Sequence, residues 1–261
     1  MALGLADYQF NYSTLADNLT FGPNGATVPN VDIEEISGLL DLDVRVGDRE
    51  FAREDGDIAG LHRAEPREVR LMIEIRDSEL NQDYYDMITK TRELFTRRVN
   101  PGDTDGVLTF KLPGEPEQMI RCRPVRRREP RNWRTEFGLL PIEILLRAAD
   151  PRIYAVDTTT TTTNDGNEFA YPILNFGAVA TASITNNTNG DTLSITSAPG
   201  SGNLIADMDR WIRGTSGLII FRGSTDGYGA WDQPRKPFRL SPGTNSISGS
   251  SFTLTKRHTW L

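Results

Sequence analysis

The chain has 261 residues, 37% hydrophobic and 25% charged, enough apolar side chain to pack one large domain or two medium ones rather than stay disordered. A formal net charge of −7 argues against general nucleic-acid binding, which needs surplus Lys and Arg to neutralise phosphates. The single cysteine, Cys122, excludes an intrachain disulfide and a metal site built on several thiolates.

Charge is unevenly spread. Residues 1–150 hold 20 basic and 28 acidic side chains, whereas residues 151–261 hold 9 and 8 and are rich in Thr, Ser, Asn and Gly. That break predicts two domains, 1–154 and 155–261. The N-terminus carries no charged-then-apolar leader and no apolar run approaches about 18 residues. The expectation is a chain made in a soluble, reducing compartment and not held in a membrane.

In chain order, Tyr8 to Tyr12 alternates aromatic and polar residues as a half-buried strand does. Phe21 to Gly25 reads as a turn, and Val28–Ile33 and Leu40–Val46 as strands, the latter alternating Leu40, Leu42, Val44 and Val46 against Asp41, Asp43 and Arg45. The clearest strand runs from Glu68 to Arg76, with Val69, Leu71, Ile73 and Ile75 on one face. A helix follows, capped at Asp77 or Ser78, with Leu80, Tyr84, Met87, Ile88, Thr91 and Phe95 in one stripe, and Asn100-Pro101-Gly102 stops it. Being amphipathic, it should lie across a sheet.

Val107–Leu112 and Met119–Pro124 make the next strand pair, and Glu136–Leu146 reads as a strand interrupted by Pro141. Asp150-Pro151 closes this half. The six threonines from Thr158 to Thr163 read either as a linker or as an extended edge strand. Beyond them come short strands at Ala170–Phe176, Thr181–Asn186, Thr192–Thr196, Gly217–Arg222, Pro237–Leu240 and Phe252–Lys256, with a two-residue hairpin signal at Asn189-Gly190. Short strands about ten residues apart, with no helical stripe, predict an all-β sandwich.

Chemistry-bearing patterns are sparse. The two histidines, His62 and His258, each sit beside Arg or Lys as surface residues do. Gly223 to Gly227 places Thr225 where a nucleophile elbow needs serine, and neither a Walker sequence nor His-Glu-x-x-His occurs. Asp207 and Asp209, read as one strand face, could share a proton or calcium, and Asp103-Thr104-Asp105-Gly106 begins a calcium loop without its later ligands. Solvated turn carboxylates explain both. No catalytic residue, metal site or cofactor is assigned, and the chain is expected not to be an enzyme.

Arg121, Arg123, Arg126, Arg127, Arg128, Arg131 and Arg134 form the strongest charge feature. It could follow phosphates, or dock on an acidic surface such as that holding Asp32, Glu34, Glu35, Asp41 and Asp43. Acidic charge outweighs basic in this half, which favours an intersubunit basic patch. Tyr228 and Trp231, in a Gly-rich loop, could stack on a sugar ring or pack against a sandwich edge.

Several motifs together resemble the distal tail proteins of siphophages. They are Ile36-Ser37-Gly38 before Asp41-Leu42-Asp43-Val44-Arg45, then Leu112-Pro113-Gly114, and Asp150-Pro151-Arg152-Ile153-Tyr154. In the second half come Pro172-Ile173-Leu174, Ile184-Thr185-Asn186, Leu204-Ile205-Ala206-Asp207, Leu240-Ser241-Pro242-Gly243-Thr244-Asn245 and a last aromatic strand ending at Trp260. The resemblance implies a mainly β protein: a β-sandwich-like ring (belt) domain with one helix, then a galectin-like β-sandwich. It further implies a hexameric ring of the virion tail tip, joining the tail tube protein to the tail hub and baseplate, with the tape measure protein as a further partner. DNA would touch it only in transit through the lumen. A carbohydrate-binding adhesin acting through the second domain is the alternative.

Overall fold

The computed structural model describes residues 9–13, 18–21, 31–41, 44–45, 49–50, 57–58, 63–76, 82–96, 106–112, 114–130, 138–213, 218–232 and 236–261. The chain divides into two compact units, Met1–Pro151 and Arg152–Leu261.

The first unit contains β1 (Gln9–Ser13), β2 (Asn18–Phe21), β3 (Val31–Ser37), β4 (Val44–Arg45), β5 (Arg49–Glu50), β6 (Asp57–Ile58), β7 (Arg63–Ala64), β8 (Arg67–Arg76), α1 (Gln82–Leu94), β9 (Gly106–Lys111), β10 (Gln118–Arg128) and β11 (Leu139–Ala148). Its main strands pair in the order β2-β1-β9-β10-β11-β8-β3, antiparallel throughout. The period-2 pattern of β8 places Val69, Leu71 and Ile73 opposite Leu146, Ile144 and Ile142 of β11, and all six are buried. β10 is a corner strand: residues 118–122 pair with β9 and residues 123–128 with β11.

The helix forms where its spacing predicts, with Met87 half-buried and Leu94 added to the buried stripe, while Leu80, the cap at Asp77 or Ser78 and the stop at Asn100-Pro101-Gly102 lie outside the described residues. Tyr84, Ile88, Thr91 and Leu94 face inward, and Phe95 just beyond stacks on Tyr12 of β1 with ring centroids 4.9 Å apart. The Tyr12 ring needs a neighbour without a side chain. A Cβ at Gly106 would lie 2.3 Å from the Tyr12 hydroxyl oxygen, which donates to the Cys122 carbonyl at 3.4 Å. Gly106→Val is therefore expected to cost about 2–3 kcal/mol by overpacking. Chemical denaturation would check it, and loss below 0.5 kcal/mol would show that the ring moves aside freely.

Two sequence expectations change here. Pro141 does not interrupt β11; it lies opposite Glu74 in β8 and beyond Glu143, the last β11 residue paired with β10, so its missing N–H is tolerated. The alternating stretch from Leu40 to Val46 is not a continuous strand. Gly38 to Leu40 bends, Leu40 is exposed, and among the described residues only Val44–Arg45 is strand, paired with Arg63–Ala64. Gly38 sits at φ +75° with the Glu68 carbonyl against it, a place where a Cβ would clash. Arg67, itself buried, then fixes the bend: Nη1 donates to the carbonyls of Leu39 (2.6 Å) and Asp41 (3.0 Å), and Nε to that of Pro151 (2.9 Å).

The second unit contains β12 (Ile153–Ala155), β13 (Thr163–Asn164), β14 (Ile173–Asn175), β15 (Ala182–Asn186), β16 (Thr192–Ile195), β17 (Leu204–Asp207), α2 (Met208–Arg213), β18 (Ile220–Arg222), β19 (Thr225–Asp226), a 3-10 turn (Tyr228–Ala230), β20 (Gly243–Thr244), β21 (Ile247–Gly249), β22 (Thr253–Thr255) and β23 (Thr259–Trp260). A 5-stranded sheet, β19-β18-β17-β14-β22, and a 3-stranded sheet, β16-β15-β21, share one core. Leu174, Leu204, Ala206, Ile220 and Leu254 come to it from the first, and Ala182, Ile184, Leu193 and Ile195 from the second. That is a sandwich.

The Asn189-Gly190 hairpin joins β15 to β16, but through a longer loop than two residues. The Asn186 amide donates to Asp191 and the Gly190 amide back to Asn186, with Gly190 at φ +77°. The side chains of Asn186 and Asn189 also accept from the amides of Thr188 and Asp191, so local Asx bonds lengthen the turn. The threonine run is paired near its two ends, with Thr159 exchanging both backbone hydrogen bonds with Lys256 and Thr163 opposite Thr244, and it bends at Thr161 and Thr162 between them.

Candidate functional site

Pairing on β10 decides where its arginines go. Ile120, Cys122 and Pro124 face the core, so Arg121 and Arg123 face the other side. A β-bulge between Pro124 and Arg126 then inserts Val125 as an extra residue. Arg126 lies opposite Leu145, Arg127 opposite the buried Ile144, and Arg128 opposite Glu143. Without the bulge, simple alternation would aim Arg126 and Arg128 into the core.

The arginine cluster is therefore split. Arg127 turns inward, donating from Nη2 to the Thr91 hydroxyl of α1 at 3.2 Å and pairing with Glu129, which also holds Arg92 at 2.7 Å. Burial, and then the charge of Arg92, pushes the Arg127 guanidinium down to about 10, still charged at neutral pH. It is a structural ion-pair centre, which corrects its place in a surface patch. Arg121 is half-buried, while Arg123 and Arg128 are exposed and carry no ion pair among the described residues. Arg126 donates to Glu143 at 2.9 Å, and Arg70 approaches the same carboxylate at 3.5 Å. Arg131 and Arg134 lie outside the described residues.

The acidic side of this face lies on β3. Arg76 gathers Glu74 (2.8 Å), Asp32 (3.3 Å) and Glu34 (3.6 Å), leaving a surplus of negative charge, and Glu35 is exposed beside them. Asp41 meets Arg67 through its carbonyl, and Asp43 lies outside the described residues. Exposed Arg123 stands directly opposite exposed Arg147 on β11, a like-charge pair that costs stability in the isolated chain. The face is thus basic along β10 and acidic along β3.

Three sequence readings of the second unit are corrected. Trp231 is 2% exposed and belongs to the sandwich core, so its ring cannot offer a face to a sugar. Tyr228 packs edge-on against it at 5.9 Å. The segment 230–232 covers the free edge of β16, with Thr196 donating to Ala230 and Asp232 to Ser194. The pair Asp207 and Asp209 does not share a strand face: β17 ends at Asp207 and α2 starts at Met208, and Asp207 caps α2 by accepting the Arg210 amide at 2.8 Å. Finally, His258 is no ordinary surface residue. Its side chain is 19% exposed, its Nδ1 accepts the Asp165 amide at 2.8 Å, and its Nε2 lies 3.3 Å from the Asp165 carboxylate. His62 and the Asp103–Asp105 carboxylates lie outside the described residues.

Lys256, two residues before His258 and between β22 and β23, carries no signal in the sequence beyond its Lys-x-His spacing. It is 2% exposed and its Nζ lies 3.4 Å from His258 Nδ1. Burial, opposed by Asp165, pushes it down to about 8 from 10.5. Between those values the unfolded chain holds the extra proton, so the stability of this unit should climb as pH rises from about 8 to 10.5. Lys256→Met is expected to raise Tm at pH 7 and to flatten that climb. Thermal melts of both proteins at matched pH check it, and parallel Tm profiles would refute it.

No family model and no curated protein matches the chain. Solved structures do. The SPP1 Dit (gp 19.1) protein, described as a paradigm of the hub adsorption apparatus in phages infecting Gram-positive bacteria, superposes with a TM-score of 0.70 at 17% identity, over 97% of this chain and 99% of that one. A chain of the phage P2 baseplate, in its activated conformation with Ca, superposes with a TM-score of 0.56 at 9% identity, over 96% of this chain and 98% of that one. The same baseplate with Sr gives a TM-score of 0.56 at 9% identity, over 96% and 97%. The fold of both units, in this order along the chain, is the fold of these proteins.

Proposed function

We propose that the chain is a siphophage distal tail protein: a structural, non-catalytic component of the virion tail tip. Six copies form a ring that continues the tail tube and joins it to the hub and baseplate, with DNA passing through the lumen. Its neighbours are the tail tube protein above, the hub protein below and the tape measure protein within. The first unit builds the ring, and the second is a galectin-like sandwich. One observation carries this reading: the likeness to the SPP1 Dit protein runs through 97% of the chain, not through one common sandwich alone.

The contact between copies falls on the polarised face of the first unit. Rings grow from unlike surfaces that meet head to tail. Arg121, Arg123, Arg126 and Arg128 supply one such surface, and Asp32, Glu34 and Glu35 the other. The opposed Arg123 and Arg147 would be relieved by a neighbour's carboxylates. Mass photometry tests the assembly: six copies of a 29.1 kDa chain weigh about 175 kDa. Particles of that mass, seen as rings in negative stain, are expected. A chain that stays monomeric at high concentration and is not recruited by tail extract would overturn the proposal. The adhesin reading loses its anchor with Trp231 inside the core.

A further inference from the structure

The second unit holds a titratable cluster that ring assembly does not use. The segment 158–168 runs along the C-terminal strand region and is tied to it mostly by backbone bonds: Thr159 with Lys256, and Glu168 to the Thr259 carbonyl. Gly166 lies so close to the Thr259 carbonyl that a Cβ there would clash. At Asp165, in the middle of the strap, the tie is a side chain instead. The Asp165 amide donates to Nδ1 of His258, which must be unprotonated to accept it. Nε2 then carries the ring proton and faces the Asp165 carboxylate.

Among the described residues, two titratable groups face this ring: Lys256, two residues before it in the chain, and Asp165 from the strap. Arg257, between them in sequence, points elsewhere and donates to the Ala155 carbonyl. The Glu168 carboxylate accepts the Phe169 amide and takes no part. A proton on Nδ1 would remove the acceptor from the Asp165 amide and place a second positive charge 3.4 Å from the buried Lys256 ammonium. The Asp165 carboxylate is 70% exposed and screened by water, so it offsets this only weakly.

We infer that His258 is an acid-released latch: its protonation frees the strap around Asp165 from the C-terminal strand while the sandwich core stays folded. Burial, reinforced by the Lys256 charge, already holds the imidazole below its ordinary range, so the latched form is the neutral one. The sign follows. A lowered folded-state value means that latching is complete above about pH 6.5 and is lost as pH falls below it.

Hydrogen exchange on the full chain, corrected for intrinsic rates, tests this between pH 7.5 and 5. The Asp165 amide should lose protection about tenfold as its local tie opens, while the Leu193 and Ile195 amides of β16 hold theirs. His258→Asn keeps an acceptor of similar reach and cannot titrate, so its profile should be flat. Lys256→Met removes the repulsion and should shrink the loss. Wild-type protection that stays constant, or an equal loss in His258→Asn, overturns the inference. Should His258→Asn fail to fold, an undiminished loss in Lys256→Met overturns it instead.

Discussion

Replacing Asn245 with leucine is expected to cost the second unit about 3–5 kcal/mol, the largest single effect in that half of the chain. Asn245 is 3% exposed. Its Nδ2 donates to the carbonyls of Ser241 (2.8 Å), Gly243 (3.0 Å) and Thr162 (3.1 Å), while Oδ1 accepts the Ser241 amide and Asn186 Nδ2, both at 2.9 Å. One amide thus closes the 241–245 turn, binds the threonine run and anchors β15. Leucine is close in size but strands these groups away from water, and each orphaned buried group costs about 1–3 kcal/mol. A Tm lowered by about 12 °C or more is the expected readout for a unit of this size. Asn187, whose amide reaches only the exposed Ser248, should lose under about 0.5 kcal/mol on conversion to alanine. Equal effects at the two positions would show that the network carries no special weight.

In the first unit the largest effect is expected at Arg67. Methionine there keeps the packing of the aliphatic stem but takes the donor from three carbonyls, those of Leu39, Asp41 and Pro151. Burial already disfavours this charge and lowers its pKa, with Asp41 opposing, so removing it returns part of the loss. The balance is a destabilisation of about 2–4 kcal/mol. Arg67→Lys should recover less than half of it, because an ammonium cannot span three acceptors that a planar fork reaches together. Urea titration of the three proteins would decide; a lysine variant as stable as wild type would mean that charge alone matters.

Much of the fold was legible because burial follows period. The strand at 67–76 and the stripe from Tyr84 to Phe95 are patterns that one buried face imposes locally. The failures have physical causes of a different range. Leu40 to Val46 alternates well, yet Gly38 and the side chain of Arg67 bend its start, and no local window contains that long-range bond. Trp231 sits among glycines like a loop aromatic, but an isolated bridge to Ile195 draws it into the core. The arginine run could be read as charge, whereas its division into outward Arg126 and inward Arg127 depends on one bulge. Lys256 carries no sequence signal and His258 reads as a surface residue because burial of a charged side chain is invisible until the strap that covers it is placed.

Val125 has a consequence for length variation. Pro124 and Arg126 lie opposite Leu146 and Leu145, successive residues of β11, so the chain can lose Val125 and keep every pair from Arg126 to Arg128. A deletion at that codon would straighten the strand and leave each arginine's destination unchanged. Indels among chains of this fold are thus expected to gather at this position, where the sheet is indifferent to one residue more or less.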